Sequence, residues 1–536
     1  MRHKLLRAAA VAGAAALLLT SCADSGTSDS ANEPREELVW AMKGANLENG
    51  HMDPHRSQID SSAMLARMTL DSLTYLGADG EIKPWLASDW KISDDNTSVE
   101  FTLRDDVTFS DGEAFNAAAV KANFDHVMAE ETESTHANQL LGGELYKDTV
   151  VVDDHTVRVE FSQPFAPFLT NVSSAFLGIY SPATLAENAQ QLPTGGPGVS
   201  VGSGPWIMTD LKAGSTITYE RNADYAWAPD GMEVSEDLPQ TLTVNLVPDD
   251  QLRAESVISG EAVIATELSP VTVDGLGDVT IENNASPGVP FSLYLNEKHG
   301  ALADKSVRQA LQFGIDREAA VNAVYLGYYD AGTAMLSPTT PNITPGIVDD
   351  KVGYDAEKAA KLLDDAGWVL PDGEEVREKD GQKLELTWIS WTPRSDDRQA
   401  LADLLIDQWR QLGVAVTNEV VEPGTYNEKY GAGDFDLTDW SFASLDADML
   451  RNHLSTEGFQ NASHVSDEKI DALLDRGVAS FDPAERTAVY DELLEWNADY
   501  VAILPVFNPS VLIAVSPSLN DLVLDANGWP LLHAAH

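Results

Sequence analysis

Val99-Glu100-Phe101-Thr102-Leu103-Arg104-Asp105-Asp106-Val107-Thr108-Phe109-Ser110-Asp111-Gly112 sets apolar residues at every second place, Val99, Phe101 and Leu103, and then turns at Asp111-Gly112. A period of two marks a half-buried strand, and Asp-Gly closes it with a turn. Arg104 falls between strand and turn, where a structural ion pair with a nearby acid is expected rather than a ligand contact. The same alternation recurs at Val157, Val159 and Phe161 and at Leu242, Val244 and Leu246, and Leu38 to Met42 is a short apolar strand. Further along, helical spacing takes over. Asp304 caps a helix bearing Val307, Leu311 and Ile315, and Asp355 caps Ala356 to Ala366 before Gly367. Leu401, Leu405, Gln408 or Trp409, and Leu412 line another helix, which Gly413 ends. Asp482, Pro483 and Glu485 read as N-cap, first-turn proline and capping-box acid ahead of Val489, Leu493 and Trp496. The chain is therefore mixed α/β.

The first residues point to export. Arg2, Lys4 and Arg7 precede an apolar run from Ala8 to Leu19, too short for a permanent membrane helix, so residues 1–21 read as a signal peptide. Leu19-Thr20-Ser21-Cys22 resembles a bacterial lipobox, in which Cys22 becomes the acylated first residue. Cys22 is the only cysteine of 536 residues, which excludes an internal disulfide, a cysteine zinc cluster and a CxxC redox pair. Residues 22–36 carry almost nothing to bury and read as a flexible tether. Val501 to Val506 and Val511 to Val515 are too short to span a membrane and are broken by Pro505, Asn508 and Pro509. The expected location is the outer face of the bacterial cell membrane, with the lipid anchor at Cys22.

The length exceeds what one core covers, so two or three lobes are expected, and 43% hydrophobic residues suffice to fill them. The net charge of −52 is spread along the chain as a solvated skin and repels nucleic acid and anionic headgroups.

Several blocks, in order, resemble the extracellular solute-binding proteins of family 5, the peptide and nickel type. They are Met52-Asp53-Pro54-His55, Asp71-Ser72-Leu73 with Pro84-Trp85-Leu86-Ala87 and Trp90, and the Val99 to Gly112 segment with Ala117 to Val120. Gly202-Ser203-Gly204-Pro205-Trp206, Val307-Arg308-Gln309-Ala310-Leu311 with Ile315-Asp316-Arg317, Ala359 to Gly367, Leu412-Gly413-Val414 and Gly433-Asp434-Phe435-Asp436 follow. The resemblance implies a two-lobed, periplasmic-binding-protein-like α/β fold of type II with an extra small α/β domain, hinged around a ligand cleft. Lobe I would be 37–72, 198–288 and 505–536, the extra domain 73–197 and lobe II 289–504. Crossings would fall near Pro290 and near Pro505-Val506-Phe507. It also implies the substrate-binding component of an ABC importer: a monomer without a cofactor that hands a peptide-like solute, another small molecule or a metal chelate to a permease and its ATPase.

The resemblance places the cleft wall at Trp440-Ser441-Phe442-Ala443-Ser444-Leu445-Asp446. In peptide-binding members an aspartate three residues after the tryptophan holds the ligand's amino terminus; here that place is Ala443. Asp446 is either its substitute or a helix cap before Met449 and Leu450. Trp440 and Phe442 offer an aromatic floor. Trp388, Trp391 and Arg394 follow a strand, and Arg394 either grips a carboxylate or pairs at the surface with Asp396 and Asp397. The loop from His55 to Asp60 faces the cleft with Gln58 as its polar contact, and Phe507 is a cleft wall or a hinge packing residue. These residues favour an anionic, blocked or chelated ligand gripped by Arg394 and stacked on Trp440.

His51 and His55 are four apart, but Pro54 argues against the helix that would align them, so no protein metal site is expected. Gly198-Val199-Ser200-Val201-Gly202 fits the nucleophile-elbow pattern in a loop context, which leaves a secreted serine hydrolase using Ser200 as one rival. An orphan sensor that signals to a membrane partner is another. No catalytic residue is expected.

Overall fold

The computed structural model describes residues 35–44, 47–77, 79–277 and 279–536. The leader 1–21, Cys22 and the tether up to residue 34 lie outside the described residues. Among those described, no helix is long and apolar enough to cross a membrane.

A seven-stranded sheet runs in the order Thr280–Ala285, Ser510–Val515, Ile264–Ala265, Glu37–Met42, Thr241–Leu246, Thr216–Arg221, Trp206–Lys212. Glu37–Met42 lies parallel to both its neighbours, and the remaining pairs are antiparallel. A six-stranded sheet runs Asp330–Ala331, Ile503–Asn508, Gly288–Leu295, Leu437–Ala443, Glu385–Trp391, Ala415–Val421. A four-stranded antiparallel sheet, Ala87–Ile92, Ser98–Leu103, Thr156–Phe161, Tyr146–Asp153, lies in sequence between the strands Glu37–Met42 and Trp206–Lys212 of the seven-stranded sheet. Val99, Phe101 and Leu103 are buried there, as their alternation requires. Arg104 holds Asp106 through two donors, at 2.8 and 2.6 Å, on the exposed rim of that sheet.

The chain passes from the seven-stranded to the six-stranded sheet at Ser286-Pro287 and returns at Pro509. The two connections touch: the Ser286 amide donates to the Pro509 carbonyl at 2.8 Å. Pro290 and Pro505, near which the crossings were expected, sit inside strands instead. Each lies where the ladder shifts register, between Val289 and Ser292 and opposite Phe291 and Ser292. A proline has no amide to give to a ladder, so it marks an irregularity in the strand rather than its end.

That shift also sorts the core of the six-stranded sheet. Beyond it, Phe291, Leu293 and Leu295 fill one core with Trp388, Leu405 and Trp409, while Tyr294 fills the other with Trp440 and Leu493. Val289 precedes the shift and joins Tyr294's side despite its odd number. The seven-stranded and four-stranded sheets share a single core that contains Leu38, Trp40, Phe101 and Phe161.

The helix termini follow their capping residues. Asp304 accepts from the Ser306 amide and Asp355 from the Lys358 amide, and Gly367 and Gly413 take positive φ of 87° and 81° just past their helices. The capping box at Asp482 departs from expectation. Glu485 accepts from the Ser480 hydroxyl at 2.8 Å, and that hydroxyl in turn receives the Asp482 amide at 3.2 Å. The serine two residues before the cap fills the place the glutamate was expected to take.

Candidate functional site

A cleft of about 380 Å³ opens where both crossovers meet the ends of the central strands Gly288–Leu295 and Leu437–Ala443 of the six-stranded sheet. Ser286, Pro287 and Pro509 form its base. One wall is Ser441 to Leu445, the end of the strand Leu437–Ala443 and the loop after it. The opposite wall combines Gln58 and Asp60 with Asn527 and Trp529 from the C-terminal turn. His136, Leu140, Asn171, Ser174 and Phe176 close the side contributed by the small domain. Its volume suits a small organic molecule.

The wall at Ser441–Leu445 is held tightly to the crossover. Gly288 has φ +106°, and a Cβ there would stand 2.3 Å from the Phe442 carbonyl oxygen and 2.6 Å from the Ser444 nitrogen. The Ser444 amide donates to the Pro287 carbonyl at 3.1 Å. Only a glycine lets these backbones approach so closely.

Asp60 begins the helix Asp60–Thr69, where a carboxylate suits the positive end of the helix dipole. Burial pushes its carboxyl up to about 6, and the negative charges of Glu267 and Asp525 add to the shift. The residue is exposed and lines the cleft. His136 stands edge-on to Phe176 at 4.6 Å, and burial pushes it down to about 4, so it is neutral at pH 7.

Of the residues singled out in the sequence, the structure brings Gln58 and Phe442 into this cleft. Trp440 lies deeper in the same strand, 7% exposed, packed on Tyr294 and Tyr430 at 5.0 and 5.3 Å. Trp388 and Trp391 lie within the strand Glu385–Trp391 rather than after it, and Trp391 is exposed, edge-on to Tyr426. Arg394 is buried, donating to Ser390 Oγ at 3.0 Å and Asn418 Oδ1 at 2.6 Å beneath the Trp388 ring. Both oxygens of Asp446 face the buried Arg486, at 2.6 and 2.8 Å, and Oδ1 also caps the Asp448 amide. Phe507 stacks on Phe291 and Tyr329 at 4.8 and 5.6 Å, two residues before the crossover at Pro509.

Asp60, His136, Asn171, Ser174, Phe176, Asn527 and Trp529 were not singled out in the sequence. Asp60 ends the loop already expected to face the cleft; an acid before an apolar helix reads first as a helix-start residue, which hid it. The others come from distant segments that only the fold assembles.

His55 is buried, with Nε2 2.8 Å from the Gly178 carbonyl and Nδ1 3.2 Å from His126 Nδ1. Among the described residues no group of three or more His, Cys, Asp and Glu is placed to hold a metal ion. Ser200 sits in a turn closed on the Gly196 carbonyl, with neither a strand entering it nor a helix leaving it.

The family model for bacterial extracellular solute-binding proteins, family 5 Middle, matches residues 81–461. The chain is 25% identical to the nickel-binding periplasmic protein of Escherichia coli K12, over 88% of this chain and 90% of that one. It is 27% identical to the glutathione-binding protein GsiB of Escherichia coli O1:K1, over 89% and 88%. The structure of NikA from Brucella suis in complex with Fe(III)-EDTA superposes with a TM-score of 0.79 at 24% identity, over 94% of this chain and 100% of that one. The fold, its crossovers and the family match agree: the chain belongs to the bacterial extracellular solute-binding proteins of family 5 and is the substrate-binding component of an ABC importer.

Proposed function

We propose that the cleft at the crossovers captures a small organic solute and that the lobes close over it about residues 286–287 and 509. The mature chain, tethered through a lipid on Cys22, then hands the solute to a permease driven by its ATPase. The position of the cleft carries this reading. Ser286, Pro287 and Pro509 are the chain's two connections between the large sheets, and the same residues form the cleft base. A rotation about them widens or narrows the site directly. Polar wall groups then pair fully with a ligand only in the closed form, which ties binding to closure.

The moving bodies proposed here are 37–285 with 510–536 on one side, because the seven-stranded and four-stranded sheets share a core, and 288–508 on the other. Relatives named for nickel and for glutathione show that cargo varies across this scaffold, so the ligand is set by the local wall. Asp446 and Arg394 are proposed as frame residues, since Asp446 is paired with the buried Arg486 and Arg394 donates to Ser390 and Asn418. Gln58, Asp60, Phe442 and Trp529 are proposed as ligand contacts.

Native mass spectrometry of the purified, processed protein tests the capture. A small-molecule mass increment that disappears on unfolding and refolding is expected, and its absence together with no binding in a metabolite screen would refute it. For the anchor, Cys22→Ala is expected to release the protein from membranes or block its processing. A variant processed and membrane-bound like the parent would contradict the lipid claim.

A further inference from the structure

Resting on the solute-binding role of this cleft, we infer that its ligand carries an organic ammonium group, held by Asp60 on the wall opposite Ala443 and surrounded by Phe176, Phe442 and Trp529. Among the described residues Asp60 is the one acid in the lining, and no lysine or arginine lines the cleft. Among the described residues nothing donates a hydrogen bond or an ion pair to its carboxylate, although other acids nearby are engaged. Glu267 accepts from the Lys43 amide at 2.9 Å and the Ser61 hydroxyl at 3.1 Å, and Asp525 accepts from the Asn527 and Trp529 amides. These two add negative potential at Asp60 without competing for a cation bound there.

The rest of the lining is neutral: amides from Gln58, Asn171 and Asn527, serine hydroxyls, and aromatic rings. Aromatic faces attract cations, most strongly once water is excluded. An anionic ligand would face the Asp60 carboxylate with no cationic side chain among the described lining residues to offset it, since Arg394 is turned to Ser390 and Asn418. Arg398 donates to Ser441 Oγ at 3.4 Å while lying over the Phe291 ring, and it is not part of the lining. The acid missing at Ala443 thus has its counterpart on the other lobe, and the ligand's charged end points toward the helix Asp60–Thr69.

The test is calorimetry and thermal shift on ligand-stripped protein. The cationic probes are dipeptide amides, choline, tetramethylammonium and spermidine; the anionic ones are N-acetyl dipeptides. At least one cationic probe is expected to bind, with affinity at least tenfold weaker in Asp60→Asn and retained in Asp60→Glu, while the acetylated set stays silent. Binding of acetylated probes with the cations silent would overturn the inference and leave the solute-binding role standing. The same holds if cation binding survives Asp60→Asn unchanged. If every probe is silent, the charge of the copurified solute decides: a cation supports the inference, and a neutral or anionic solute overturns it. Silence throughout with no copurified solute overturns both the inference and the proposed capture.

Discussion

Asp446 and Arg486 form a buried bidentate pair, with side chains 4% and 5% exposed, and Arg486 also donates to the Tyr490 hydroxyl oxygen at 3.2 Å. Removing one partner of such a pair leaves an uncompensated buried charge, at a cost of about 3–5 kcal/mol. Asp446→Ala is therefore expected to lower the unfolding free energy by about that much, while the folded fraction still binds ligand with near-parental affinity. Chemical denaturation beside calorimetry checks this; an unchanged midpoint with lost binding would restore Asp446 as a ligand anchor. The contrast with Asp60 shows what single residues disclose in sequence. Gln58 and Phe442 were legible as wall residues because they sit in segments whose order marks the cleft. Arg394 was misleading because its partners Ser390, Asn418 and Asp439 come from a strand interior and from two neighbouring strands, which no local pattern reveals. Asp60 was hidden by its own helix start.

At the scale of elements, strands and helices followed the sequence closely, because alternation and capping act within a few residues. The crossovers lie close to Pro290 and Pro505 but not at them, because a proline inside a strand and a proline between strands look alike until the ladder is seen. Gly288, at the start of the crossover strand, is the position where this matters for the site. A side chain there is strained at φ +106° and collides with the Phe442 carbonyl, at a cost of about 1–3 kcal/mol for the backbone conformation alone. Gly288→Ala is expected to lower the melting temperature and to weaken ligand binding at least tenfold, because the wall at Phe442 and Ser444 must withdraw. Calorimetry at a temperature where the variant is folded separates the two effects; parental affinity there would show that the wall is not coupled to the crossover.

Across the molecule, contacts near Val478 and Ala479 span the lobes away from the crossovers. The Ala166 amide donates to the Val478 carbonyl at 2.8 Å, and Val478 and Phe481 pack against the core that holds Phe161 and Phe165. This contact ties the segment that carries the four-stranded sheet to the body 288–508, and in the closure proposed above it would hold the two together. Phe481→Ser is expected to enlarge the ligand-free radius of gyration and weaken apparent affinity by roughly two- to tenfold, since a smaller closed population lowers apparent binding in proportion. Unchanged dimensions and affinity would remove the contact from the closing mechanism. The sequence order of family blocks made the two-lobed plan legible, while this latch joins residues far apart in the chain and left no local trace. The most direct measurement of closure is small-angle scattering on ligand-stripped protein, before and after the copurified solute is returned at saturation. The radius of gyration is predicted to fall when the solute binds; a value unchanged at proven saturation, from a stripped protein no more compact than the loaded one, would contradict closure about Ser286-Pro287 and Pro509.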